Sequence, residues 1–270
     1  MSKYIFLDLD GTLLNNDKSI PDSARKAIHL AKENGHKLVV ATGRSNKGVI
    51  PSIRELNFDG YIFSAGAVVE INKKTIRKQE MDPNMVVDLI HAMEENHIGF
   101  ILEGYHHSYY NQTFTQHIDI NELIKNRNLD ERVFRPVIEY QQVSSKVYKI
   151  AFFAHDLEQA QQFELKLENC SGVTAFTHKK VEGDLINGEI TVSGVTKASG
   201  IEMMMSHLAE PMEKTISFGD SLNDLEMLEL THTGICMGNG VDQLKKIADD
   251  VTDTPANDGL YKAFIKHNLI

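Results

Sequence analysis

Two groups of carboxylates carry the residue types and spacing in this chain that could do chemistry. Asp8 and Asp10 close the run Tyr4-Ile5-Phe6-Leu7-Asp8-Leu9-Asp10-Gly11-Thr12, and Asp220 and Asp224 lie in Gly219-Asp220-Ser221-Leu222-Asn223-Asp224. Aspartates one residue apart at a strand end repel each other unless a cation lies between them, and oxygen ligands of this kind suit Mg2+. The Asp8 side chain and the Asp10 backbone carbonyl could share one ion. A helix starting near Ser221 would set Asp220 and Asp224 about one turn apart on one side, where they could complete the same site. Each stretch also has a plainer reading: an Asp-Gly turn after a strand for the first, a helix cap rich in Asp and Asn for the second. Thr42, in Ala41-Thr42-Gly43-Arg44, adds a hydroxyl, and Lys197 adds a cation at a predicted helix start.

The elements that must position these groups follow from the apolar pattern. Continuous apolar character over Tyr4-Ile5-Phe6-Leu7 and Lys37-Leu38-Val39-Val40-Ala41 reads as strands buried on both faces, with a helix over residues 19–34 between them. Chemistry at the carboxyl ends of such strands is the usual arrangement of open parallel sheets. A helix over 46–56, a strand at Tyr61-Ile62-Phe63-Ser64 and a hairpin turning at Asn72-Lys73 follow. Asp82-Pro83 then caps a helix to about residue 96, and further strands are expected at Phe100-Ile101-Leu102, at 147–153 and near 173–176, with a helix over 157–168. From Ile190 the doubly wound texture returns, with a helix over 197–208, the strand Thr215-Ile216-Ser217-Phe218, a strand over 233–237, helix 241–248, a strand at Val251 and a closing helix from Gly259. The expected fold is therefore α/β, a doubly wound and mainly parallel sheet formed by residues 1–81 and 187–270, with an α+β domain inserted at 82–186.

Composition narrows the function classes. At 270 residues the chain can build one large core or two modest ones, and its formal net charge of -10 offers no general attraction to nucleic acid or to anionic membranes. No apolar segment reaches bilayer length and the amino terminus enters a strand at once, so a cytoplasmic protein that acts on neither membrane nor nucleic acid is expected. Cys170 and Cys236 are too few for a disulfide framework and are not metal-spaced. Glu103-Gly104-Tyr105-His106-His107-Ser108-Tyr109-Tyr110 is a polar aromatic cluster whose plain reading is a solvated strand and turn, Met203-Met204-Met205 reads as core filling, and Glu182-Gly183-Asp184 reads as a solvated turn where a hinge would be natural.

Four polar strand ends thus converge on one sheet, and in this the chain resembles the haloacid dehalogenase superfamily of phosphohydrolases. Asp8-Leu9-Asp10-Gly11-Thr12, Thr42, Lys197 and Gly219-Asp220-Ser221-Leu222-Asn223-Asp224 match that superfamily's motifs in order and spacing. Ala41-Thr42-Gly43-Arg44, Asn257-Asp258-Gly259 and the insertion between the Thr and Lys motifs are similar to its Cof-type branch, which carries an α/β cap. The resemblance implies that Asp8 attacks phosphorus to form an aspartyl-phosphate and that Asp10 protonates the leaving alcohol and later accepts a proton from water. It implies that Thr42, Lys197 and Asn223 meet the phosphate, that Arg44 faces the substrate, and that Mg2+ is held by Asp8, the Asp10 carbonyl and Asp220, with Asp224 supporting. It also places substrate choice in the inserted domain, where part of the polar aromatic cluster would face the active site. An acid at position 10 favours hydrolysis of phosphate esters, here of small phosphorylated metabolites such as sugar phosphates. A phosphosugar mutase using the same aspartate pair, and a non-catalytic phosphometabolite-binding regulator, are the alternatives. One departure stands out: the branch usually has Asn where Ser64-Ala65-Gly66-Ala67 places Ala65.

Overall fold

Tyr4–Leu7 is buried from its second residue onward, as an apolar run too short for a helix and flanked on both sides in a sheet must be. The structure is a computed structural model that describes residues 2–126, 131–143, 146–168, 170–180 and 185–270. The strands come in three groups along the chain. The first is β1 (Tyr4–Leu7), β2 (Lys37–Ala41), β3 (Gly60–Phe63), β4 (Val68–Ile71) and β5 (Lys74–Lys78). The second is β6 (Gly99–Gly104), β7 (Ser108–Tyr110), β8 (Phe134–Pro136), β9 (Val147–Ala154), β10 (Val173–Lys180) and β11 (Ile186–Val192). The last is β12 (Thr215–Gly219), β13 (Thr233–Cys236) and β14 (Asp250–Val251).

The first and last groups form one sheet in the order β14-β13-β12-β1-β2-β3-β4-β5, parallel from β14 through β3 and antiparallel between β3 and β4. One face packs Phe6, Val39, Ala41 and Ile62 with Ile201, Met204 and Met205 of the helix Lys197–Leu208. Burying those side chains fixes that helix against the sheet. Met203, expected in the core with its two neighbours, is 41% exposed, because three consecutive helical residues cannot all face one side.

The second group forms a mixed sheet in the order β10-β11-β9-β6-β7-β8, antiparallel except between β7 and β8. Helices Pro83–Glu95 and Leu157–Leu167 bury Leu89, Ile90, Met93, Ala160 and Phe163 with Phe100, Ile150 and Phe152 of that sheet. By contact the described chain divides into one unit of Met1–Gly43, Pro51–Arg77 and Thr196–Ile270 and another of Arg44–Ile50 and Lys78–Val195.

Several elements differ from the sequence expectation for local reasons. The helix expected over 46–56 is a 3-10 turn at Asn46–Gly48 and a separate short helix at Pro51–Arg54, since the proline ring disfavours helical backbone at Ile50 before it. Residues 187–192, expected to begin the return to the parallel sheet, lie in β11, a strand of the second sheet paired on both sides by β9 and β10. Strand β8 and the helices Gln112–His117, Ile120–Asn126 and Val137–Val143 were not expected, each being short and without a strong period, and β7 falls in the stretch read as a solvated strand and turn but buries Ser108 and Tyr109. The turn at Glu182-Gly183-Asp184 lies outside the described residues. No described helix is long and apolar enough to cross a membrane.

Candidate active site

β1 brings Asp8 to the end of the parallel sheet, where its N–H donates to the Phe218 carbonyl at 3.1 Å and so fixes it beside β12. The next residues turn sharply. Gly11, with φ +83, lies so close to Asp220 that a Cβ there would run into its carboxylate, which is why only glycine fits. β12 ends in Gly219, and Ser221 caps the 3-10 turn Leu222–Asp224 that opens the helix Leu225–Leu230. Asp224 belongs to that turn and not to a regular helix starting at Ser221, yet Asp220 and Asp224 still face each other across it.

Lys197 joins the two strand ends. It is the first residue of the helix Lys197–Leu208, capped by Thr196 and Ser199, whose side chains each accept from the other's backbone N–H. Gly66 packs so tightly on the Thr196 carbonyl that a side chain there would displace the helix start. The Lys197 Nζ then donates to Asp8 Oδ1 at 2.7 Å, Asp224 Oδ1 at 2.6 Å and Asn223 Oδ1 at 3.2 Å, with 1% of the residue exposed. Asp224 Oδ2 accepts from the backbone N–H groups of Asp220 and Ser221, each at 3.0 Å. Thr12 Oγ1 donates to Asp220 Oδ1 at 3.3 Å.

Charge in this site is unbalanced. Burial pushes the Asp8 carboxyl well above its ordinary range; the Lys197 ammonium opposes the shift and the Asp224 and Asp220 carboxylates add to it. Burial and then the Asp224 carboxylate push Asp220 up to about 7. Burial alone would depress the Lys197 ammonium, but Asp224 and Asp8 outweigh it and hold the ammonium above its usual range. Three carboxylates facing one ammonium leave a negative excess in a dry environment, which a divalent cation would neutralise.

The donor set fits such an ion. Asp8, Asp220 and Asp224 each offer a carboxylate oxygen, all within 4.8 Å of one another, and hard oxygen donors of this kind suit a hard cation. Both oxygens of Asp224 already accept from Lys197 or from backbone N–H groups, so Asp8 and Asp220 are better placed to ligate while Asp224 holds the loop. Asp10, at the next outward position of the turn, is not in this cluster; its Oδ1 accepts from Lys18 Nζ at 2.8 Å.

The pKa shift of Asp220 gives the site a predicted pH response. In the metal-free protein a carboxyl raised to about 7 keeps a proton that the unfolded chain releases near 4, so its contribution to stability is present below about 4 and lost as pH rises to about 7. A cation must displace that proton, so the gain in Tm on adding Mg2+ is expected to grow between about pH 5.5 and about pH 8 and then level off. Thermal unfolding at several pH values with and without Mg2+ measures this, and an equal gain at every pH would contradict it.

The remaining expected site residues lie as follows. Thr42 is buried at the end of β2, the strand adjacent to β1, and its carbonyl accepts from the Ala65 N–H at 3.1 Å. Ala65 is left-handed, with φ +53, a conformation that asparagine adopts more readily than alanine. The backbone link to Thr42 is thus kept without the Asn side chain. Arg44 belongs to the second unit; its guanidinium donates to the Gly48 carbonyl at 3.1 Å and lines a cavity with Ser45, Ile101, Glu103, Ser108 and Phe134. Of the polar aromatic cluster, Glu103 and Ser108 reach that cavity, and Glu103 pairs at 3.3 Å with the buried Lys149, which also pairs with Glu189. Tyr109 is buried, and Lys78 Nζ lies 3.9 Å from the Tyr105 ring centre.

Asn239 was not expected at the site. Its amide donates to the Gly11 carbonyl at 2.9 Å and to Asp220 Oδ2 at 3.2 Å, tying the two acidic loops together. Gly238-Asn239-Gly240 after a strand reads as an ordinary turn, and its position just past β13 was the one available signal.

The chain is similar to known proteins over nearly its whole length. The family model for haloacid dehalogenase-like hydrolases matches residues 5–264. The chain is 27% identical over 281 residues to the pyridoxal phosphate phosphatase YbhA of Escherichia coli, covering 98% of each chain. It is 26% identical over 266 residues to the 5-amino-6-(5-phospho-D-ribitylamino)uracil phosphatase YcsE of Bacillus subtilis, covering 98% of this chain and 95% of that one. Among solved structures, that of the HAD subclass IIB sugar phosphatase BT4131 superposes with a TM-score of 0.83 at 26% identity over the whole of both chains. A match across nearly the full length, with the acidic strand ends in place, puts the chain among the haloacid dehalogenase-like hydrolases, as a phosphatase of the Cof-type IIB branch.

Proposed function

We propose that the protein hydrolyses small phosphate monoesters, sugar phosphates or similar metabolites, through a phosphorylated Asp8 and with Mg2+ as its cofactor. The observation that carries this reading is Asp8 at a buried strand end, held by Lys197 and facing Asp220 across a cluster of carboxylate oxygens. Asp8, through its side chain, the Asp10 backbone carbonyl and Asp220 would hold the ion, with Asp224 fixing the loop. When bound, Mg2+ would neutralise the excess charge of the site and of the incoming phosphate.

The chain's own groups then divide the work. Lys197 and Thr42 bind phosphate oxygens, Asn223 supports Lys197, and Lys197 fixes the attacking oxygen side of Asp8. An Asp8 oxygen bonds to phosphorus as the bond to the leaving oxygen breaks, and Asp10 gives that oxygen its proton. Asp10 then takes a proton from water, whose oxygen attacks the same phosphorus and releases Asp8 and inorganic phosphate. Positioning and charge neutralisation supply most of the rate in such transfers. Discrimination among esters is assigned to the second unit, where Arg44, Glu103 and Ser108 offer both charge signs and a hydroxyl to a polyhydroxylated group.

Phosphate release from a panel of hexose phosphates, pyridoxal phosphate, a ribityl phosphate and nucleotides, with Mg2+ and with chelator, tests the reading. Chelator-sensitive release from a subset is the expected result. Isomerised sugar phosphate without free phosphate would instead identify a mutase, and no turnover of any compound would point to a binding role.

A further inference from the structure

Beyond the groups already assigned, the Lys18 ammonium is built onto the Asp10 carboxyl. Lys18 Nζ lies 2.8 Å from Asp10 Oδ1, and the loop between the two residues is closed by a set of its own hydrogen bonds. The Gly11 N–H donates to the Leu14 carbonyl at 3.2 Å, the Asn15 N–H to the Ser19 carbonyl at 2.9 Å and the Lys18 N–H to the Asn15 carbonyl at 2.9 Å. Asn15 Nδ2 donates to Ser19 Oγ at 3.0 Å, and Asp17 Oδ1 accepts from the Ser19 N–H at 3.0 Å and its hydroxyl at 2.6 Å. Lys18 sits at the tip of this loop with φ +64, a backbone uncommon in residues other than glycine. Closed in this way, the loop brings the Lys18 ammonium back to the Asp10 carboxylate.

That pair cannot be explained as a stabilising ion pair. The Lys18 and Asp10 side chains are 34% and 40% exposed, a setting in which such pairs contribute little to folding. Its effect falls instead on the carboxyl's orientation, since a proton-transferring group loses rate steeply when its oxygen is misplaced by a fraction of its hydrogen-bond length.

We propose that Lys18 is a positioning residue for Asp10, its grip on Oδ1 fixing the carboxyl for proton transfer to and from the substrate. This rests on the reading of Asp10 as the acid and base of the reaction. In the first step the proton leaves the Asp10 carboxyl for the ester oxygen as the bond from that oxygen to phosphorus breaks and the bond from phosphorus to Asp8 forms. In the second, a water proton returns to the Asp10 carboxylate as the water oxygen bonds to phosphorus and the Asp8 bond breaks. Lys18 keeps its own protons throughout.

The test compares kcat/KM for an alkyl phosphate, whose leaving alkoxide needs a proton, with that for p-nitrophenyl phosphate, whose phenolate leaves without one. kcat/KM reports only steps up to departure of the leaving group, so it isolates the donor role of Asp10. Lys18→Met is expected to lower kcat/KM for the alkyl ester about tenfold and for the aryl ester less than about twofold, with Tm essentially unchanged and Lys18→Arg keeping most of the alkyl activity. An equal fall on both esters, or no fall on either, overturns the role of Lys18 while leaving the hydrolase reading intact. Failure of the unaltered protein to release phosphate from either ester overturns both.

Discussion

Asp8→Asn is expected to abolish phosphate release, by on the order of 10⁵-fold or more, while leaving the fold intact. The amide is nearly the same size as the carboxylate and keeps an oxygen for the Lys197 ammonium, which donates to Asp8 at 2.7 Å. It cannot form a stable bond to phosphorus. Burial and two neighbouring carboxylates already disfavour the charge on Asp8, so removing it costs little folding free energy in the metal-free protein. Rates of phosphate release beside urea unfolding curves separate the two effects. Turnover that survives in a folded Asp8→Asn protein would sink the assignment of the nucleophile.

Lys197→Met is expected to damage both folding and turnover. Lys197 is the ammonium that hydrogen-bonds both Asp8 and Asp224, and it is as buried as they are. Its removal strands two carboxylates in the interior, a change of about 3–5 kcal/mol in comparable buried pairs. Methionine fills the space of the stem, so lost charge and not a cavity is the cause. The deficit should shrink as pH is lowered towards about 5, because the stranded carboxylates relieve their strain by taking up protons in the folded state, which the unfolded chain does less readily at that pH. Urea midpoints for both proteins at two pH values measure this. A deficit below about 1 kcal/mol that does not change with pH would show that Asp224 and Asp8 find other partners.

What was legible in the sequence was whatever a local signal could carry. β1 and β12 are apolar runs that stop at carboxylates, so both the parallel sheet and the placement of Asp8 and Asp220 at its end followed from period and composition. The second sheet was legible as a second α+β region but not in its strand content. β11 is paired by β9 and β10, and nothing within 186–192 says which sheet it joins. The short strand β8 is held by β7, with Phe134 opposite Ser108, and a partner that distant leaves little trace in the strand's own residues. At the site, the residue types of the motifs were readable while the links between them were not. Lys197 reaches Asp224 as well as Asp8, Asn239 bridges Gly11 and Asp220, and Lys18, with a left-handed backbone, returns to Asp10. Each of these depends on a turn conformation or on a contact between distant segments, which residue spacing does not encode.

The pairing of β1 with β12, in which Ile5 lies opposite Ile216, has a consequence for how the protein is made. On the ribosome, β1, β2 and β3 emerge early and can form half of the parallel sheet, but the strand that closes the other side of β1 is synthesised only after every strand of the second sheet. Until then the β1 edge is an open row of backbone donors and acceptors, next to the Asp8 turn, and available to any other nascent strand. Closing it requires contacts of very high sequence separation, the kind that slow folding most. Substitutions that weaken the early half of the sheet would therefore be felt first as lower yield of folded protein, before any loss in the activity of the molecules that do complete it.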